Sequence, residues 1–166
     1  PLGYGELSWF FFSIGILFGL ILFTIIIYRM LFHQPLPDRL MPTFFIMIAP
    51  PAVGFVAYVE LAQLAGDGGL DAFARILYYS SLFLTLLLLT QVSRFVRLHY
   101  YISWWAYSFP LAAVTIASLL MLKLTGLVAF AVIGWVLLSL VTLIVIFLLY
   151  RTAAAIGSRS ICVPHL

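Results

Sequence analysis

Five times along the chain, eighteen residues or more pass without a single Asp, Glu, Lys or Arg: Leu7–Tyr28, Leu40–Val59, Ile76–Ser93, Tyr100–Leu122 and Leu124–Tyr150. Each run is near or above the ~20 apolar residues that carry an α-helix across a bilayer. The runs are continuous rather than alternating, which excludes the dyad pattern of a membrane β-barrel. With 66% hydrophobic and 8% charged residues, too little polar surface exists to coat a water-soluble globule. The expected fold is an all-α integral membrane protein. Residues 1–166 form a single transmembrane domain with helices over about 7–31, 42–64, 70–95, 104–122 and 126–152.

The charged residues that remain sort the loops. One side receives Arg29, Arg39, Arg94, Arg97, Arg151 and Arg159; the other receives only Arg75 and Lys123, with Glu6, Glu60, Asp67 and Asp71. The positive-inside rule then sets the C-terminus in the cytoplasm and Pro1 outside. An odd number of spans agrees with that assignment. Loop charge accounts for the formal +3, so no nucleic-acid partner is implied. The chain opens on Pro1 rather than Met, which reads as a piece of a longer polypeptide. Its first apolar run is too long for a signal-peptide core and has no basic flank. A single cysteine, Cys162, excludes a disulfide framework.

Proline divides the five segments into two kinds. Pro50–Pro51 lie inside the second and Pro110 inside the fourth, whereas the first, third and fifth have none. A proline in a helix interior costs ~3 kcal/mol or more, and in hydrocarbon the defect persists only where protein or a water-filled cavity covers it. Side-chain bulk selects the same two segments. Leu, Ile and Val fill 5 of 19 positions in Met41–Val59 and 6 of 19 in Trp104–Leu122, but 15 of 23 in Leu127–Leu149. Small residues suit helices packed inside a bundle, and Ala52, Gly54, Ala112 and Ala113 stand beside the prolines. The second and fourth segments are therefore expected inside, lining a path, and the others toward lipid. Pro50 and Pro110 lie 60 residues apart, so two inner–outer hairpins follow one another. The first segment is then an outer helix without its inner partner, carrying a Gly15-x-x-x-Gly19 face for close packing.

No titratable side chain stands at mid-depth, where a proton-coupled carrier needs one. Glu60 comes nearest, at the end of the second segment. His33 and His99 fall in loops without a second ligand at metal spacing, and no nucleophile–base pair can be drawn. Neither a metal, a cofactor nor an enzyme activity is expected. Hydroxyls supply what polarity there is: Thr43, Tyr58, Ser80, Ser81, Thr85, Ser108, Thr115 and Ser118. With freed backbone dipoles they suit weak ion binding and fast release. Trp104, Trp105 and Tyr107 read as an interfacial aromatic belt. Phe109, directly before Pro110, stands at a helix break where its ring can project into a path or simply pack.

Pro42-Thr-Phe-Phe-Ile-Met-Ile-Ala-Pro-Pro-Ala-Val-Gly54 and Ser103-Trp-Trp-Ala-Tyr-Ser-Phe-Pro-Leu-Ala-Ala113 resemble the seventh and ninth helices of the tellurite-resistance/dicarboxylate transporter family. Its members include the bacterial tellurite-resistance protein TehA, the one this chain looks most like, and the slow-type anion channels of plant guard cells. The resemblance implies the C-terminal half of a ten-helix bundle of hairpins around a central pore. It further implies a homotrimer in the membrane lipid and, for the bacterial branch, an inner-membrane location. By motif position the pore-plugging phenylalanine falls on Phe109, with Pro50, Pro51, Ala52, Gly54, Pro110 and Ala113 as helix-break and pore-lining residues. The implied activity is a gated channel for small monovalent anions. The alternative is an exporter of tellurite, a dicarboxylate or a related oxyanion; a membrane subunit that only scaffolds a partner would not need paired helix breaks.

Overall fold

The computed structural model describes residues 4–34, 36–96 and 99–157. Pro1, Pro35, Arg97, Arg159 and Cys162 lie outside the described residues. Among the described residues there is no strand, and five stretches are long and apolar enough to cross a membrane. They are α1 (Gly5–Phe32), α2 (Ala49–Leu64) with the 3₁₀ segment Asp38–Ile48 leading into it, α3 (Ala72–Thr90), α5 (Ser108–Thr125) with the 3₁₀ segment Ile102–Tyr107 leading into it, and α6 (Val128–Gly157). A single-turn helix, α4 (Val92–Val96), follows α3 after a break at Gln91.

Local chemistry sets the helix ends. Asp71 caps α3, its carboxylate accepting the Ala74 N–H at 2.8 Å, so the helix starts at Ala72. Gly126 takes the left-handed conformation (φ 69°) and donates its N–H to the Leu122 carbonyl at 2.8 Å. This is the αL stop that glycine adopts without a Cβ penalty. It ends α5 at Thr125, and α6 begins only at Val128. Hydroxyls along the exposed helices bond back to their own backbone, as Thr24 does to the Leu20 carbonyl and Thr142 to that of Leu138, each within 2.8 Å. In hydrocarbon this is the partner always within reach.

Packing ranks the helices. In their most apolar windows, 56% of residues are buried for the segment ending in α5 and 44% for that ending in α2, against 33% for α3, 22% for α6 and none for α1. The two proline-bearing segments are thus the interior ones. Their core joins Ile48, Ala52, Phe55 and Val59 of one to Leu111, Val114, Ala117 and Met121 of the other. Tyr78 of α3 sits fully buried between Phe55 and Phe130, both ring centroids 5.5 Å away. The hairpin α5–α6 makes the most extensive helix contact, and Gly134 permits it: a Cβ there would come within 2.6 Å of Leu119 Cδ2. By contrast α1 buries no residue and rests mainly on α2. The Gly15 and Gly19 positions meet no other helix within 4 Å; they border a cavity of about 440 Å³ between α1, α2 and α3 that Pro50, Val53 and Ser80 also line.

Candidate functional site

The prolines do not break α-helices in mid-course. Pro50 and Pro51 are the second and third residues of α2, and Pro110 is the third of α5. In a first turn the missing N–H has no intrahelical partner to lose and the fixed φ suits the helix. What precedes each is a 3₁₀ run, eleven residues long before α2 and six before α5. Runs beyond 3–4 residues are uncommon and often mark hinges or strain. The switch happens at matching places, with Ala49 donating to the Ile46 carbonyl and Ser108 to that of Trp105. The double proline has a further effect. With no N–H at position 50 or 51, the Met47 carbonyl has neither a 3₁₀ nor an α-helical donor. Both interior helices therefore change pitch within one turn of their prolines.

Around these junctions the predicted residues separate into two groups. Ala52 and Gly54 of α2 and Pro110 and Ala113 of α5 are buried against neighbouring helices. At Gly54 an added Cβ would reach ordinary contact with Ile16 Cδ1 at 3.5 Å and Leu77 Cδ1 at 3.8 Å, so small residues here let α1 and α3 approach α2. Pro51 is half-buried, while Pro50 is exposed. Phe109 is 63% exposed although Leu111, two residues on, is 1% exposed. On α5 the exposed positions recur every seven residues, Phe109, Ile116 and Lys123, in an otherwise buried or half-buried helix. On α2 the open stripe includes Pro50, Val53 and Glu60. Ile116 and Val53 were not singled out from the sequence, and Lys123 only for the sidedness of its charge; for Ile116 and Lys123 the seven-residue spacing from Phe109 was the signal available.

Most of the hydroxyls expected to contact an ion are engaged elsewhere; Ser80, exposed on the cavity between α1, α2 and α3, is the exception among them. Thr43 donates to the Leu40 carbonyl, Ser81 to that of Tyr78, Thr85 to that of Ser81, Ser108 to that of Trp105 and Thr115 to that of Leu111, all within 2.8 Å. Tyr78 Oη–H donates to Ser118 Oγ at 3.1 Å, and Ser118 donates in turn to the Val114 carbonyl at 2.8 Å, forming a buried bridge between α3 and α5. The open stripes near the junctions are consequently apolar: a ring, a proline and branched aliphatics.

Both ends of the bundle are tied. Tyr58 donates its hydroxyl to Asp71, the same carboxylate that caps α3. The Ala74 N–H chiefly, then the Tyr58 hydroxyl, hold the Asp71 carboxyl below its usual range. At the other end, Thr152 Oγ1 donates to the Leu148 carbonyl at 2.7 Å and so must accept from both Tyr100 Oη (2.6 Å) and Trp105 Nε1 (3.1 Å). Arg151 stands 5.3 Å from the Tyr100 ring centroid. That cluster pins the 3₁₀ segment leading to Phe109 onto the end of α6. Among the described residues no group of three His, Cys, Asp or Glu side chains is placed to hold a metal ion.

The family model described as voltage-dependent anion channel matches residues 2–153. Among curated relatives, the S-type anion channel SLAH2 of Arabidopsis thaliana is 34% identical over 118 residues, covering 71% of this chain and 22% of the relative. SLAH3 of the same plant is 28% identical over 151 residues, covering 91% and 23%. An uncharacterized transporter of Methanocaldococcus jannaschii is 29% identical over 125 residues, covering 71% and 36%. The chain thus spans about a quarter of the length of the first two. No solved structure matches it.

Proposed function

The chain belongs to the voltage-dependent anion channel family, and on that premise we propose that it forms part of a gated channel for small monovalent anions. In this reading the path runs beside the two 3₁₀–α junctions, with Pro50, Pro51 and Val53 contributed by α2 and Phe109 and Ile116 by α5. Ala52, Gly54, Pro110 and Ala113 shape the wall from behind by letting its helices pack closely. The Phe109 ring closes the path, and it opens when the ring swings aside. One observation carries the proposal: the most deeply buried segment of the chain keeps a large aromatic ring 63% exposed, on a stripe of its own, at the turn where its helix changes pitch. A constriction of this apolar kind blocks ions by dewetting rather than by charge.

Several finer points belong to the same proposal. The channel is a multi-pass homotrimer of the bacterial inner membrane, each protomer holding its own path, and the C-terminus faces the cytoplasm as the Lys and Arg distribution directs. The second reading is an exporter of tellurite, a dicarboxylate or a related oxyanion, and what favours transport over conduction is that the Methanocaldococcus relative is named a transporter. Chloride current through the full-length protein in planar bilayers separates the two. A channel gives current that rises when Phe109 is cut to alanine. A coupled exporter gives none in either form and instead accumulates oxyanion in a flux assay.

A further inference from the structure

Each interior helix carries a single charged residue, and in both cases it stands on the open stripe near the C-terminal end. On α5 it is Lys123, seven residues beyond Ile116 and fourteen beyond Phe109; on α2 it is Glu60, seven beyond Val53. Successive spans run in opposite directions, so the C-terminal ends of α2 and α5 emerge on the same face of the membrane. Among the described residues no carboxylate lies within ion-pair distance of Lys123. Asp71, on that same face, is already occupied by the Ala74 N–H and the Tyr58 hydroxyl. Lys123 thus stands outside any ion pair among the described residues, on a face to which the charge distribution also gives Glu6, Glu60, Asp67, Asp71 and Arg75. Its position lies roughly 21 Å along the helix axis from that of Phe109 at 1.5 Å per residue.

We propose that Lys123 is a specificity-determining residue of the conduction path, the fixed charge that concentrates anions at the mouth formed by the C-terminal end of α5, with Glu60 opposing it there. This rests on the reading of the Phe109 stripe as part of the path. A charge at a narrow, low-dielectric mouth raises the local concentration of its counter-ion and the rate of entry. For an anion passing about 7 Å from Nζ, the screened attraction is worth roughly a twofold rise in occupancy at 0.01 M salt and about a tenth at 1 M. Lysine in a last helical turn also complements the helix dipole. That role alone would alter folded yield but not the salt dependence of current.

The test uses the full-length protein in planar bilayers with Phe109→Ala as the open background. Lys123→Gln is expected to lower chloride conductance about twofold at 0.01 M and to match its parent at 1 M, whereas Glu60→Gln shifts conductance upward over the same range. Lys123→Cys, made in Cys162→Ser, is then treated with methanethiosulfonate reagents from each compartment in turn. A trimethylammonium reagent restores the current and a sulfonate reagent depresses it further. If Lys123→Gln conducts like its parent at every salt concentration while Phe109→Ala conducts, Lys123 has no part in permeation and the path reading stands. If the Phe109→Ala protein folds and passes no chloride, the path reading falls and this inference falls with it.

Discussion

Tyr78 and Ser118 offer a test of the interior in which two single substitutions differ and their combination repairs the worse one. Both residues are fully buried, joined by a 3.1 Å hydrogen bond from Tyr78 Oη to Ser118 Oγ. Tyr78→Phe keeps the ring between Phe55 and Phe130 and leaves Ser118 donating to the Val114 carbonyl. It forfeits one interhelical hydrogen bond, about 0.6 kcal/mol by the average measured within membranes. Ser118→Ala strands the Tyr78 hydroxyl without an acceptor in a dry interior, at about 1–3 kcal/mol. The double variant Tyr78→Phe/Ser118→Ala replaces both partners with apolar groups, which is close to neutral. It is therefore expected to be more stable than Ser118→Ala alone, by about 1 kcal/mol. The assay is equilibrium unfolding of the detergent-solubilised full-length protein across all four forms. Additive losses, with no repair in the double variant, would refute the bridge between α3 and α5.

Gly134→Ala brings a methyl within 2.6 Å of Leu119 Cδ2, which Leu119 can relieve by turning its side chain; an overpacking cost of about 1–3 kcal/mol is expected in the same unfolding assay. Gly15→Ala, facing open space in the middle of α1, should by contrast raise stability by about 0.5–1 kcal/mol, the helix-interior preference for Ala over Gly. Asp71 gives a pH signature, because its folded carboxyl titrates below the usual range and its stabilising contribution is fully present above the unfolded value. Protection of the amides at the start of α3, taken relative to intrinsic exchange at each pH, should therefore hold from neutral pH down to about 4, then fall as pH drops through the lowered value. Asp71→Asn should abolish that acid transition while still capping the helix.

The number of spans was legible because uncharged length alone dictates a membrane helix, and Leu7–Tyr28 or Leu124–Tyr150 permits nothing else. Sorting the spans was legible too: the proline-bearing, aliphatic-poor segments are the two most deeply buried. What composition could not convey was how the prolines are accommodated. Pro50 and Pro110 looked like mid-helix defects because 3₁₀ and α residues share one apolar pattern, and the change of pitch that moves each proline into a first turn leaves no mark in it. The hydroxyls misled for a related reason, since Ser81, Thr85 and Thr115 are free donors on paper but lie one turn from a carbonyl they reach at 2.7–2.8 Å. Ala52 and Ala113 were read as helix-break and pore-lining residues from their smallness, the same property that lets both be buried against neighbouring helices. The Thr152 cluster was unreadable, since its partners Tyr100 and Trp105 lie 52 and 47 residues away. Phe109 was singled out by its place before Pro110; only packing distinguishes its open ring from the buried Phe45, Phe55 and Phe95.

The most direct measurement is single-channel chloride conductance of the full-length protein, wild type against Phe109→Ala, with folding of both checked by gel filtration and helical circular dichroism. An exposed Phe109 supports little packing, so the variant is expected to fold like wild type and to conduct where wild type is nearly silent. A variant that loses folded yield as a core Phe→Ala does, typically by 3–5 kcal/mol, or that folds and stays as silent as wild type, would contradict the account.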